Sequence, residues 1–346
     1  MSSNPPAPET TSQWYARFAA TDARGQSPVY EAWALGVAGD AELLAAIDEL
    51  PPQRRHPPLV FAVTRLLGAR AGGFAEWRDW TLAHWPRVRA EAEVRLTQTN
   101  EPLRCAALMP ALARIAGPIA LLEVGTSAGL CLYPDRYSYS YDGREPLHPA
   151  DGASTVLLES STNGLVAPPT ALPDVVWRAG TDLAPLDVRD PDDARWLEAL
   201  IWPEQHERLA RLRAAMAIVR DDPPLLVAGD VTDTLADLAA QAPADATLVI
   251  VSSGVLVYVP RAGRERFADA VAGLDATWVS LEAAGLFAGI AESVTRATGL
   301  ADLAGRFALS LDGAPLALVA PHGGRIDWLP AALPADGPTG TTPYGA

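Results

Sequence analysis

The sequence contains no lysine, so all 27 of its basic residues are arginines. It has 42 acidic residues and a formal net charge of −15, and no basic run interrupts that excess. Nucleic acids and anionic membrane surfaces are bound mainly through clustered positive charge. The charge balance therefore predicts no nucleic-acid and no membrane partner, and it favours a small-molecule substrate.

Cysteine and histidine are also scarce. Cys105 and Cys131 are too few for a disulfide framework and lack the spacing of metal ligands, and the five histidines are scattered. We therefore predict no metal site. No apolar run approaches the ~20 residues that span a bilayer, and the first ten residues lack the charge and hydrophobicity of a secretion signal. We expect a cytoplasmic protein, and the oligomeric state stays open between a monomer and a homo-oligomer.

Hydrophobic residues make up 49% of the 346 residues, enough for one large domain or two ordinary ones. Periodicity divides the chain into a helical part and a part in which strands alternate with helices. An alternation of this kind predicts an α/β fold with a mostly parallel sheet, closed here by an antiparallel hairpin around Asp312 and Gly313. The predicted segments are a disordered 1–10, a helical domain 11–116, an α/β domain 117–329 with an inserted hairpin at about 137–160, and a flexible tail 330–346.

The α/β part begins with the most informative stretch of the chain, which runs from Leu121 to Leu130. A buried apolar strand containing Glu123 leads into a turn with Gly125, Ser127 and Gly129. The pattern Glu-x-Gly-x-Ser-x-Gly is one form of the first motif of class I S-adenosylmethionine (SAM) methyltransferases. It is a poor dinucleotide fingerprint, because a serine replaces the glycine that would approach a pyrophosphate.

Acidic residues recur at the ends of the strands that follow this turn. In a SAM site, Asp182 would accept hydrogen bonds from the ribose hydroxyls, with Asp142 as the second choice. Asp230 would accept from the adenine amino group. Glu123 would orient the turn or the methionine ammonium, and the backbone at Gly125, Ser127 and Gly129 would line the methionine end.

Methyl transfer depends mainly on positioning, although a base helps when the acceptor is a hydroxyl or an ammonium group. Tyr137 and His206 are the candidate bases. Two other uses of SAM remain open, namely cyclisation or elimination with release of methylthioadenosine, and binding without turnover. Arg104 is interpreted as a solvated helix residue rather than as a cation that faces the ligand.

The same turn also matches the motif Gly-x-Ser-x-Gly, which forms the nucleophile elbow of α/β-hydrolases. Ser127, Asp230 and His322 occur in the order that such a triad requires. About 115 helical residues precede the motif, however, where that fold has several strands. No oxyanion segment lies upstream, so the hydrolase is the weaker alternative.

Several segments together resemble an uncharacterised bacterial domain family that is common in actinobacteria and resembles SAM-dependent methyltransferases in fold. The resemblance covers most of the chain and implies a Rossmann-like class I methyltransferase sheet, but it supplies no catalytic residues. Where relatives tend to have a histidine before the serine of the fourth strand, this chain has Val251-Ser252-Ser253. The segments that carry the resemblance are 122–130, 135–137, 178–188, 196–197, 202–203, 229–230 and 321–323.

Overall fold

The computed structural model describes residues 9–330. The predicted disordered segment 1–10 and the predicted tail 330–346 therefore lie outside the described residues, except for Glu9, Thr10 and Pro330. Glu9 forms an ion pair with Arg17, and Thr10 caps the first helix.

The described residues form twelve α-helices. They are α1 (Thr11–Phe18), α2 (Pro28–Gly39), α3 (Ala41–Ile47), α4 (Pro57–Leu66), α5 (Phe74–Ala83), α6 (Trp85–Val94), α7 (Arg104–Leu112), α8 (Pro191–Ala199), α9 (His206–Asp221), α10 (Val231–Ala239), α11 (Arg261–Ala272) and α12 (Ala288–Thr298).

The same range contains ten strands. They are β1 (Pro118–Val124), β2 (Ser138–Tyr141), β3 (Leu157–Thr162), β4 (Asp174–Asp182), β5 (Leu225–Ala228), β6 (Thr247–Ser253), β7 (Ala276–Ala283), β8 (Phe307–Leu311), β9 (Ala314–Val319) and β10 (Arg325–Trp328). The predicted α/β class with a mostly parallel sheet is confirmed.

Among the described residues, 9–99 and Arg189–Arg213 form one compact unit, and 100–188 and 214–330 form a second. This division differs from the predicted boundary at 116, because α7 belongs to the second unit and α8 to the first. The first unit has an aromatic core in which Trp33 stacks on Trp77 at 4.7 Å and both rings meet Phe61 edge-on. Each buried indole N–H has an acceptor, Gly72 O for Trp33 and the Thr64 hydroxyl for Trp77, so the polar edges of the rings cost little to bury.

The second unit contains one ten-stranded sheet in the order β2-β3-β10-β9-β8-β7-β6-β1-β4-β5. Five strands, β7-β6-β1-β4-β5, are mutually parallel. After β1 the chain forms β2 and β3 at the far edge of the sheet, then places β4 beside β1 and β5 beyond it. It next returns to the other side of β1 as β6. This reversal makes the carboxyl ends of β1 and β6 a topological switch point, which is where open α/β sheets bind ligands.

The antiparallel closing hairpin is also confirmed. β8 and β9 flank Asp312 and Gly313, whose φ angles of 48° and 77° are those of a tight hairpin turn. β8 lies directly beside β7.

Helix α7 lies against β3, β7 and β8, and all nine of its residues are buried. Tyr141 at the end of β2 donates a hydrogen bond to Ala106 O of this helix. The sheet therefore curves around α7, and the first residue of the helix, Arg104, is held beside the end of β6.

The predicted inserted hairpin at 137–160 is wrong. β2 and β3 are parallel. The Asp142-Gly143 turn does form, with φ values of 56° and 68°, but the antiparallel partner of β2 is the single residue Leu147, which exchanges both backbone hydrogen bonds with Tyr139. The chain then crosses over before it forms β3, so the turn type could be predicted and the register could not.

Candidate functional site

The turn after β1 has the left-handed backbone that its glycines predict. Gly125, Ser127 and Gly129 have φ values of 70°, 51° and 73°. The N–H groups of Gly125 and Thr126 donate to Thr181 O, which ties the turn to the end of β4. A short 3-10 turn from Leu130 to Leu132 follows Gly129.

Protein side chains fill the space beside both glycines. A Cβ atom on Gly125 would lie 2.2 Å from a methyl group of Val255, and one on Gly129 would lie 3.0 Å from Pro224. These glycines allow close packing of the turn against the neighbouring loops. The structure thus gives no support to the prediction that Gly125 and Gly129 line the methionine end of a ligand.

Asp182 stands at the carboxyl end of β4, directly beside the turn. Its Oδ2 accepts from Ser127 N and its Oδ1 from Ala184 N, both at 2.9 Å. Each carboxylate oxygen has more than one acceptor site, and the side chain is half-buried. Asp182 therefore fixes the turn and places a half-buried carboxylate at the carboxyl end of β4.

Asp230 stands at the end of the next strand, β5, and is exposed. Its Oδ1 accepts from the backbone and the hydroxyl of Thr232, so Asp230 caps α10. These hydrogen bonds lower the pKa of the carboxyl group. β5 is an edge strand, half-buried at its centre and exposed at both ends.

Glu123, near the end of β1, is 4% exposed. Its Oε2 accepts from the Thr126 hydroxyl at 2.9 Å. Burial raises the pKa of Glu123 to about 8, although Thr126 and the charge of Arg104 act in the opposite direction. Glu123 therefore holds the turn from inside the sheet as a carboxyl group that is largely protonated at neutral pH.

A second buried carboxyl group, that of Glu282, lies at the end of β7. Its burial was not predicted from the sequence. Glu282 is 3% exposed, and its two oxygens accept from Val255 N and Leu256 N at 3.3 and 3.2 Å. Burial raises the pKa of Glu282 to about 7. A signal was present, because Glu282 ends an apolar strand just as Glu123 does.

Arg104 was interpreted as solvated, and that interpretation is wrong. The side chain is buried, and Nη1 donates to Ser253 O at 2.7 Å. Its guanidinium lies 5.9 Å from the centre of the Phe307 ring. The positive charge of Arg104 acts on both Glu123 and Glu282. Arginine at the first position of an otherwise apolar helix could have indicated this role.

The two predicted bases are not supported. Tyr137 is fully buried and its hydroxyl donates to Leu130 O at 2.6 Å. Burial raises the pKa of Tyr137 well above its ordinary value, so the phenol stays protonated. His206 is exposed in the first turn of α9 and belongs to the first compact unit, whereas the turn and the acidic strand ends belong to the second.

The hydrolase triad is not assembled. Ser127 has the positive φ of a nucleophile elbow, but it is 3% exposed. A triad needs the acid to hold the histidine by a hydrogen bond. The Asp230 carboxylate instead accepts from the backbone N–H and the hydroxyl of Thr232.

No helix within residues 9–330 is long and apolar enough to cross a membrane. No group of three His, Cys, Asp or Glu side chains there is arranged to hold a metal ion.

Comparison with known proteins assigns most of the chain to one group. Residues 12–328 match a family model described as an uncharacterized protein conserved in bacteria (DUF2332). No curated protein and no solved structure matches the chain.

Proposed function

We propose that the chain, which belongs to the DUF2332 family of uncharacterized bacterial proteins, is a SAM-dependent enzyme that transfers a methyl group to a small molecule. The observation that carries the proposal is the half-buried Asp182 carboxylate beside a left-handed turn, one strand from the switch point of a parallel sheet. Carboxylates at adjacent strand ends suit the vicinal hydroxyls and the amino group of an adenosyl moiety.

The residues of the strand ends fit such a ligand in part. Asp182 and Asp230 follow the neighbouring strands β4 and β5, and Gly229 N donates to Asp182 O, so the two strand ends are linked. Gly125 and Gly129 do not fit as ligand contacts, because Val255 and Pro224 pack on them. We therefore base the proposal on the acidic side chains rather than on the glycine turn.

In this proposal SAM supplies an electrophilic methyl group on a sulfonium. Asp182 binds the ribose and is itself oriented by Ser127 N and Ala184 N. Asp230 accepts from the adenine amino group. Since Tyr137 stays protonated, the carboxyl groups of Glu123 and Glu282 are the candidates to hold a proton near neutral pH.

Binding and product analysis test the proposal. Calorimetry with SAM and S-adenosylhomocysteine measures affinity, and chromatography after incubation with SAM and candidate acceptors identifies the products. S-adenosylhomocysteine as the product supports methyl transfer. Methylthioadenosine would instead support cyclisation or elimination, and absence of binding would refute the proposal.

Ser127→Ala separates the SAM proposal from the hydrolase. The substitution keeps the N–H that donates to Asp182, so we expect unchanged affinity for S-adenosylhomocysteine and a stability loss of ~1 kcal/mol from the hydroxyl group. A nucleophilic serine would behave differently, because its removal would abolish hydrolysis of a p-nitrophenyl ester. Ester hydrolysis by the unmodified protein that disappears in Ser127→Ala would contradict the SAM proposal.

A further inference from the structure

Arg104 carries a buried positive charge that the protein balances incompletely. The side chain is 8% exposed. Within residues 9–330, its guanidinium makes one hydrogen bond, to Ser253 O, and has no carboxylate oxygen within 4.0 Å. Its Nε is buried without a hydrogen-bond acceptor among those residues. A buried guanidinium normally has a partner, because an uncompensated charge in a protein interior is costly.

Arg178 of β4, whose side chain is 10% exposed, provides a comparison within the same unit. Its Nη1 and Nη2 each donate to an oxygen of Asp135, at 2.9 and 2.7 Å, and Nη1 also donates to Leu132 O. The protein thus supplies a bidentate carboxylate to one buried guanidinium and leaves the other without such a partner. Arg104 is therefore the better candidate for a guanidinium whose carboxylate partner belongs to a bound ligand.

A second unsatisfied group lies on the residue that Arg104 binds. Ser253 is 6% exposed, and its hydroxyl has no hydrogen-bond partner in the described part of the chain. Ser253 ends β6, so this donor and Arg104 both stand at the switch point of the sheet. Gly254 follows, and a Cβ there would lie 3.0 Å from Arg104 Nη2, so the backbone passes close beneath the guanidinium.

The charge of Arg104 acts on two buried carboxyl groups, those of Glu123 and Glu282. The pKa values of Glu123 and Glu282 are raised to about 8 and about 7, because burial outweighs the attraction of Arg104. Near neutral pH, both groups therefore carry less negative charge than ordinary glutamates.

We infer that Arg104, together with the Ser253 hydroxyl, binds the carboxylate of a ligand at the switch point between β1 and β6. A guanidinium fork and a hydroxyl are donors that match a planar carboxylate. The carboxylate belongs either to the amino-acid end of an adenosyl ligand or to the second substrate. The inference concerns the same site as the proposed function and rests on it only for the choice of the first probe.

The first arm compares S-adenosylhomocysteine with its analogue that lacks the α-carboxylate, by calorimetry. If the carboxylate is that of the adenosyl ligand, the unmodified protein binds S-adenosylhomocysteine about tenfold more tightly or better, the effect of a hydrogen bond to a charged group. Arg104→Met removes that preference. Arg87→Met, at an exposed arginine of α6, is the matched control and retains it.

The second arm compares propionate with propionamide, by their effect on the melting temperature. If the carboxylate is that of the second substrate, propionate stabilises the unmodified protein but not Arg104→Met, and propionamide stabilises neither. This result would support the inference even if S-adenosylhomocysteine failed to bind, in which case only the proposed function would fall.

Ser253→Ala provides a second test of the inference if Arg104→Met does not fold. It removes one small hydroxyl, and we expect a weaker but measurable loss of the carboxylate preference, about threefold. Equal binding of carboxylates and their uncharged analogues by the unmodified protein in both arms would overturn the inference. So would a preference that survives both Arg104→Met and Ser253→Ala.

Discussion

Asp182→Asn is expected to reduce the affinity for S-adenosylhomocysteine by about 100-fold or more, since hydrogen bonds to a charged acceptor contribute about 1.5–3 kcal/mol each and a ribose offers two donors. The amide has one acceptor oxygen where the carboxylate has two, so it cannot serve the turn and the ribose equally well. Calorimetric titration measures the change, and the melting temperature without ligand separates a loss of binding from a loss of folding.

Asp142→Asn is the matched control for this substitution. Asp142 also stands at the end of a strand and accepts from a backbone N–H, that of Thr162. From the sequence, Asp142 is the second choice as the residue that accepts hydrogen bonds from the ribose hydroxyls. We expect Asp142→Asn to leave the affinity unchanged. Tight binding by Asp182→Asn, or a comparable loss in Asp142→Asn, would remove Asp182 from the proposed site.

Glu282→Gln is expected to make the protein less sensitive to alkaline pH. The folded-state pKa of Glu282, about 7, lies above the ordinary value of 4.5, so the folded protein retains a proton that the unfolded chain has released. The stabilisation linked to this proton is complete below pH 4.5 and is lost as the pH rises through 7. The slope in this window is about 1.4 kcal/mol per pH unit for one proton.

Urea unfolding of the unmodified protein and of Glu282→Gln between pH 5 and pH 8 measures this difference. The variant should gain stability relative to the unmodified protein as the pH rises, because glutamine has no proton to release. Glu123→Gln should act in the same direction up to about pH 8, the raised pKa of that residue. Glu145→Gln, at an exposed side chain, controls for the exchange itself. A pH-independent difference between Glu282→Gln and the unmodified protein would contradict the assignment.

Local patterns determined much of the fold. The apolar run before Gly125 and the alternation of strands and helices predicted a parallel sheet, and the Asp312-Gly313 turn predicted the closing hairpin. These predictions succeeded because strand burial and turn conformation depend on residues close together in sequence. The same information identified Asp182 as a strand-end acid.

Pairing and burial depended on residues that are distant in sequence. The pairing of β2 with β3 cannot be read from a turn, because a parallel partner is reached by a crossover whose path local residues do not define. Val255 packs on Gly125 across 130 positions of the chain, which changes a glycine expected to face a ligand into one required for packing.

The amino-acid sequence by itself determined the class of fold, the left-handed turn after β1 and the acidic ends of β1, β4 and β5, because each of these depends on short-range sterics and on the period of burial. Only the tertiary structure decided which polar groups are enclosed. The curvature of the sheet around α7 buries Arg104 beside Ser253 and brings Glu282 to the same strand ends. Burial depends on everything that surrounds a side chain, so it controls both the charge of these groups and the ligand chemistry open to them.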